Sequence, residues 1–257
     1  MTFRFEKMET EITCPHCGRV YKFRCDNWVA GVKPPCLPCD ECAAKLDAEH
    51  KAQMERVRVA DMLIAGNIPQ EFISWNAALA APIGRALRKF AVDNLSRSMW
   101  ITSDTGSGKS RALCVAAVYA IKAGRRVRYL NWEQLSLQIG AMTDRELVTY
   151  RKWLISGIDV VIIDDVGAGN DKLYGSQTRF LYWLFDTAYL SCGKLDIWVA
   201  SNVTGNQMQY WDEATGQRFS SRVKRMVKGR RLAFIDCRSR NGVVARDSSK
   251  DGMIWKT

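Results

Sequence analysis

The chain has 257 residues, and its 38 Lys and Arg against 27 Asp and Glu give a formal net charge of +11. A hydrophobic fraction of 47% suffices for a packed core and excludes global disorder. No apolar run approaches the roughly 18–20 residues that span a bilayer, and Met1–Lys7 lacks the apolar stretch of a secretory signal. The expectation is a cytoplasmic chain with no membrane partner, reduced thiols and, from the basic balance, a polyanionic partner.

Six of the nine cysteines fall within one N-terminal stretch: Cys14, Cys17, Cys25, Cys36, Cys39 and Cys42. Cys14-Pro-His-Cys17 followed by Gly18 is a knuckle that lets two thiolates grip one tetrahedral Zn²⁺ at about 2.3 Å. Cys36-Leu-Pro-Cys39-Asp-Glu-Cys42 holds two overlapping CxxC units, the second running into a helical stretch. Cys14, Cys17, Cys39 and Cys42 are the expected zinc ligands, with Cys36 as the alternative and His16 as a further candidate. A segment so poor in apolar residues needs such a staple to fold. Four sulfurs leave no open position on the ion, so the site is expected to be structural. Cys114, Cys192 and Cys237 stand in apolar surroundings and read as small buried hydrophobes.

Asp47 to Leu63 has helical spacing without Gly or Pro, ending at Gly66-Asn67 and Ile68-Pro69. These signals predict a zinc-ribbon-like domain over 1–46, a helical linker over 47–67 and a main domain over 68–257.

The main domain is expected to begin its sheet at Met99-Trp-Ile-Thr102, followed by Ser103-Asp-Thr-Gly-Ser-Gly-Lys-Ser110 and a helix closed by Lys122 and Gly124. Strand, glycine-rich loop and helix form the context of a phosphate loop. Its glycines let successive N–H groups face the phosphates, and the helix dipole adds to their pull. Asp104, Thr105, Gly106, Ser107, Gly108, Lys109, Ser110 and Arg111 are the expected nucleotide contacts. Lys109 is expected to reach the β- and γ-phosphates, and Ser110 to bind Mg²⁺. Ser103 stands where GxxxxGK[ST] begins with Gly. That position shapes the turn rather than touching phosphate, so binding is expected to survive.

Val127–Leu130 reads as a second strand. Ile158–Ile163, an unbroken β-branched run, reads as a strand buried on both faces of a parallel sheet. It ends in Asp164-Asp165, at the edge where open α/β sheets bind ligands. Asp164 is the expected Mg²⁺ ligand and Asp165 the general base or water-positioning carboxylate. Leu195–Ala200 ends in Ser201-Asn202, whose amide is placed to orient water. Arg231–Asp236 is the last expected strand. The alternation of strands and helices predicts a three-layer αβα fold.

Thr105–Ser110, Ile162-Ile-Asp-Asp165 and Ala200-Ser-Asn202 together resemble an AAA+ ATPase, in particular the DnaC-type helicase loaders and the IstB-type transposition helpers. Leu184–Tyr189 and Arg218-Phe-Ser-Ser-Arg222-Val extend the resemblance, which spans about 68–240. It implies an AAA+ core without a helical lid. It makes Asp164 and Asp165 the Walker B pair, Asn202 sensor 1, and Arg222 an arginine finger acting on a neighbouring subunit's ATP. The function implied is an ATP·Mg²⁺-dependent loader that self-assembles, holds single-stranded DNA and delivers a DnaB-type replicative helicase through its zinc domain. A transposition helper on duplex DNA and a non-hydrolysing regulator of a replication protein are the alternatives.

The charge is local. Gln217–Arg240 carries nine basic residues (Arg218, Arg222, Lys224, Arg225, Lys228, Arg230, Arg231, Arg238 and Arg240) and one acid, Asp236. Lys224, Arg225, Lys228 and Arg230 are the expected contacts to a phosphate backbone. Arg125, Arg126 and Arg128 form a smaller cluster. Trp100, Trp183 and Trp198 read as core residues and Trp28 as a partner contact.

Overall fold

A computed structural model describes residues 5–29, 32–33, 36–74, 82–167, 175–202, 213–236 and 246–247. The chain divides into two compact units, Met1–Arg58 and Val59–Thr257.

The first unit is a hairpin followed by a helix. Strands β1 (Phe5–Thr13) and β2 (Val20–Val29) pair antiparallel, with Ile12 opposite Tyr21. The turn between them is the first cysteine knuckle. Gly18 sits at φ 71°, and its N–H donates to the Cys14 carbonyl at 3.0 Å. Helix α1 spans Asp40–Ala65, and the boundary between the units falls within it. It starts earlier than its apolar spacing suggests, because the second knuckle is its opening turn. Asp40 and Glu41 lie at its N-terminal end, where negative charge meets the positive pole of the dipole.

The second unit is built on a sheet of order β4-β5-β6-β3-β7-β8. Its strands are β3 (Ser98–Thr102), β4 (Val127–Asn131), β5 (Val160–Val166), β6 (Asp196–Ser201), β7 (Leu232–Asp236) and the short β8 (Arg246–Asp247). The first five run parallel, and β8 pairs antiparallel with β7. Parallel strands require crossovers, and helices supply them: α4 (Lys109–Lys122), α5 (Trp132–Ala141), α6 (Asp144–Ile155), α7 (Gly175–Leu190) and α8 (Glu213–Lys228). Helices α2 (Gln70–Ser74) and α3 (Pro82–Asp93) precede β3.

Alternation along the strands divides the core into two layers. Met99, Ile101, Tyr129, Ile162, Trp198 and Ala200 face one side, against α3, α4 and the end of α1. Trp100, Val161, Ile163, Ile197, Val199 and Phe234 face the other, against α5, α6, α7 and α8. The result is a three-layer αβα P-loop fold. Trp100 and Trp198 are fully buried, and Trp183 packs partly buried on the second layer.

The end of α1 touches the sheet through a glycine. The Gly66 carbonyl accepts the Tyr129 N–H at 2.7 Å. A Cβ at position 66 would lie 2.5 Å from the Val127 carbonyl oxygen and 3.1 Å from that of Met62. Both obstacles are backbone, so they yield only if the helix end withdraws from β4. Gly66→Ala is expected to lose about 1–3 kcal/mol of stability, the usual scale of overpacking. Urea unfolding measures it, and an unchanged midpoint would refute so close an approach.

Candidate nucleotide site and four-cysteine centre

The glycine-rich loop joins β3 to α4. Gly106 at φ 79° and Gly108 at φ 93° adopt the left-handed backbone that glycine takes without strain. Ser103 is not among the residues with such a backbone, so the first position of the motif has no need of glycine here. Its side chain is buried, and its N–H donates to the Ser201 carbonyl at 3.3 Å. The Lys109 ammonium is buried and donates to the carbonyls of Ser103 at 3.0 Å and Asp104 at 2.9 Å. These are weak neutral acceptors for a buried cation, and a phosphate oxygen is a stronger one.

The carboxylate pair sits on a distortion of β5. Pairing with β6 slips between Ile163 and Val166, and Asp165 is left-handed at φ 58°. Such a bulge re-aims side chains. Asp164 is buried and accepts three hydrogen bonds. Ser110 Oγ donates to its Oδ1 at 2.7 Å, Tyr129 OH to its Oδ2 at 2.6 Å, and the Asp165 N–H to Oδ1 at 3.1 Å. Burial pushes the Asp164 carboxyl above its ordinary value. The Tyr129 and Ser110 hydroxyls counter that rise, while the charge of Asp165 adds to it. Asp165 instead lines a cleft of about 350 Å³ with Thr105, Gly106, Gly108, Lys109, Ser110, Arg111, Phe72 and Asn202.

Asn202 follows β6, the strand between β3 and β5. Its amide oxygen is buried with no hydrogen-bond partner among the described residues. Ser201 Oγ, donating to the Val166 carbonyl at 2.7 Å, fixes the strand tip that carries it. The structure thus gathers Thr105, Gly106, Gly108, Lys109, Ser110, Arg111, Asp165 and Asn202 around one cleft, with Asp164 behind Ser110. The exposed Asp104 contributes a carbonyl to Lys109, and Ser107, within the loop, is buried.

Phe72 was not foreseen from the sequence. It lies on α2, with the Arg111 guanidinium 5.6 Å over its ring. The two form an aromatic and cationic wall of the cleft. An isolated Phe far upstream of the loop carries no pattern that announces such a role.

Arg222 lies elsewhere. It sits on α8 in a separate groove of about 610 Å³ with Arg218, Arg225, Gln217, Ser221 and Tyr182. Its guanidinium is ion-paired with Asp186 on α7 and stacks 4.3 Å over the Tyr189 ring. Arg231 donates to the Tyr189 carbonyl at 2.6 Å. Arg218, Lys224, Arg225, Lys228 and Arg230 are exposed. The smaller basic cluster is tied internally: Arg125 to Asp196 at 2.6 Å, Arg126 to Asp159 at 3.3 Å, and Arg128 stacked 4.0 Å over Trp153. Cys114 is buried as expected, but Cys192 is exposed in the turn after α7; Cys237, Arg238 and Arg240 lie outside the described residues.

In the first unit, the sulfurs of Cys14, Cys17, Cys39 and Cys42 all lie within 4.8 Å of one another. Cys17 and Cys39 are 3.7 Å apart, close to the ~3.8 Å edge of a tetrahedron of sulfurs at the 2.3 Å Zn–S distance. The Cys39 N–H points at Cys14 Sγ from 3.3 Å, and Tyr21 OH ties the second knuckle through the Leu37 carbonyl at 2.9 Å. Burial raises the Cys14 thiol, but the N–H groups of Cys39, Cys17 and His16 outweigh it and bring it down to about 6. Hydrogen bonding with Cys17, aided by burial, pushes Cys42 up to about 12. Four converging sulfurs, one already disposed to be a thiolate, fit Zn²⁺. Cys36 and Cys25 stand outside this cluster, as does His16. Trp28 packs edge-to-face on Phe23 at 5.9 Å and donates to the Val32 carbonyl at 2.9 Å.

No family model matches the chain, and no curated protein matches it. Thirty solved chains do. AMPPCP-bound DnaA from Aquifex aeolicus is similar at 19% identity and TM-score 0.42, over 60% of this chain and 44% of that one. DnaI is similar at 15% identity and TM-score 0.47, over 61% and 86%. The DnaC helicase loader is similar at 14% identity and TM-score 0.41, over 57% and 88%. This chain therefore spans less than half of the DnaA length.

Cys42→Ser is expected to strip the metal from the purified protein, whereas Cys36→Ser should retain it. Metal content by mass spectrometry decides, and loss of metal in Cys36→Ser would replace the ligand set.

Proposed function

We propose that the chain is an ATPase of AAA+ type that acts as a helicase loader in DNA replication. The observation that carries the reading is the single cleft shared by Lys109, Ser110, Asp165 and Asn202, with Asp164 hydrogen-bonded behind Ser110.

Each residue has a role that its position supports. The loop N–H groups and Lys109 hold the phosphates, with Lys109 exchanging two carbonyls for phosphate oxygens. Ser110 and Asp164 offer adjacent hard oxygens of the kind Mg²⁺ takes. When bound, that ion neutralises charge on the phosphates. Asp165, at the cleft wall, takes the proton of the attacking water, and the unpartnered Asn202 oxygen orients that water. Phe72 and Arg111 supply a stacking wall for a base. Arg222 lies outside its own cleft, which supports a role on a neighbour's nucleotide in a self-assembled complex.

The exposed basic residues of α8 form the surface for single-stranded DNA. The four-cysteine unit holds Zn²⁺ and is the handle for a DnaB-type helicase. Such a unit ahead of the core favours a loader over a transposition helper. The work is cytoplasmic, and turnover is slow and partner-stimulated.

Lys109→Ala is expected to abolish ATP binding by fluorescent-nucleotide titration; retained affinity would overturn the phosphate-loop assignment. Asp165→Asn should keep binding and lower turnover by about 10²-fold or more, the scale of a lost general base. Arg222→Ala should slow hydrolysis only where the protein assembles. An equal loss in dilute monomer would exclude action in trans. Binding to a DnaB-type helicase rather than a transposase, and to single-stranded rather than duplex DNA, tests the loader assignment; the opposite preference would replace it.

A further inference from the structure

The geometry points to Tyr129 as a positioning residue that fixes the Asp164 carboxylate for the metal of the nucleotide site. This rests on reading the cleft as an ATP·Mg²⁺ site.

A buried tyrosine hydroxyl needs an acceptor, and a backbone carbonyl would serve. Tyr129 instead takes, at 2.6 Å, a buried carboxylate, Asp164, whose other oxygen faces the phosphate-loop helix at Ser110. The register makes the reach possible. Tyr129 on β4 lies opposite Ile162, and Asn131 lies opposite Asp164. The side chain therefore extends toward the strand tip to meet Oδ2. Its backbone is anchored by β5 pairing on one side and by the Gly66 carbonyl at 2.7 Å on the other.

The two carboxylate oxygens are thus assigned different work. Oδ2 is held by Tyr129, while Oδ1 faces Ser110 at 2.7 Å. The carboxylate plane cannot swing while both contacts stand. An ionised carboxylate only accepts, so the Tyr129 hydroxyl is the donor of this contact. The partner that orients a metal ligand affects metal affinity even though it never touches the ion.

Tyr129→Phe keeps the ring and removes only this hydrogen bond. Retention of a fluorescent ATP analogue is measured as a function of Mg²⁺, beside its affinity in EDTA and the melting temperature. The Mg²⁺ midpoint is expected to rise about tenfold, with the metal-free affinity unchanged. An unchanged midpoint in wild-type-like folded protein overturns the positioning role alone. A drop in melting temperature with no midpoint shift does the same, because it makes Tyr129 merely structural. If the wild type shows no Mg²⁺-dependent retention at all, the ATP·Mg²⁺ reading falls and the proposal with it.

Discussion

The hydrogen bond from Ser110 to Asp164 joins groups 54 residues apart in sequence, at 2.7 Å. It ties the helix of the phosphate loop directly to the carboxylate strand. Strand order makes the contact possible. β6 lies between β3 and β5, so the loop after β3 must lean across one strand tip to reach Asp164. The bridging tip is held on both sides. Ser201 accepts the Ser103 N–H through its carbonyl and donates its hydroxyl to Val166. That same tip delivers Asn202, so the group suited to orienting water lies between the loop and the acids. The parallel arrangement is what brings all three tips to one edge, as open α/β sheets do at their carboxyl ends.

Much of this was legible because the chemistry of the loop and the acids is local in sequence. Lys109 and Ser110 are adjacent, and a β-branched run terminates in Asp164 and Asp165. The partners of these residues were not legible. Alternation along Val127–Asn131 separates Arg128 from Tyr129 by face, but which strand lies beside β4 is a property of topology. Tyr129 therefore gave no sign that it would meet Asp164. Asp186 was hidden for the same reason, since its pairing with Arg222 depends on how α7 packs on α8. The bulge at Asp165 left no mark either, because Asp tolerates a left-handed backbone without a glycine to signal it. The start of α1 at the second knuckle was legible from Cys39 and Cys42, although its polar first turn carries no apolar spacing.

The first unit inverts the usual relation between core and metal. Among its described residues, only Cys14 and Cys39 are buried. A two-stranded hairpin is marginal by itself in water, and this one has no apolar interior to compensate. A metal ion held by the four sulfurs would supply that cohesion. Cys36 is near in sequence but exposed and outside the cluster, because it lies before the turn that α1 begins. In such a unit the binding free energy of the ion is folding free energy, so ligand choice and fold are one question.

The basic late segment is not a uniform stripe. Arg222 and Arg231 both stack on Tyr189, at 4.3 and 5.2 Å, and each has a further partner within the chain. Arg218, Arg222 and Arg225 recur at helical spacing and share one groove, with the outer two exposed. An anion entering that groove meets Arg218 and Arg225 first. To engage Arg222 it must compete with Asp186, which is ion-paired with that guanidinium. A single weakly placed phosphate competes poorly with a half-buried carboxylate. A multiply charged phosphate competes better, because the flanking arginines add to its attraction. The Asp186 contact therefore sets a threshold.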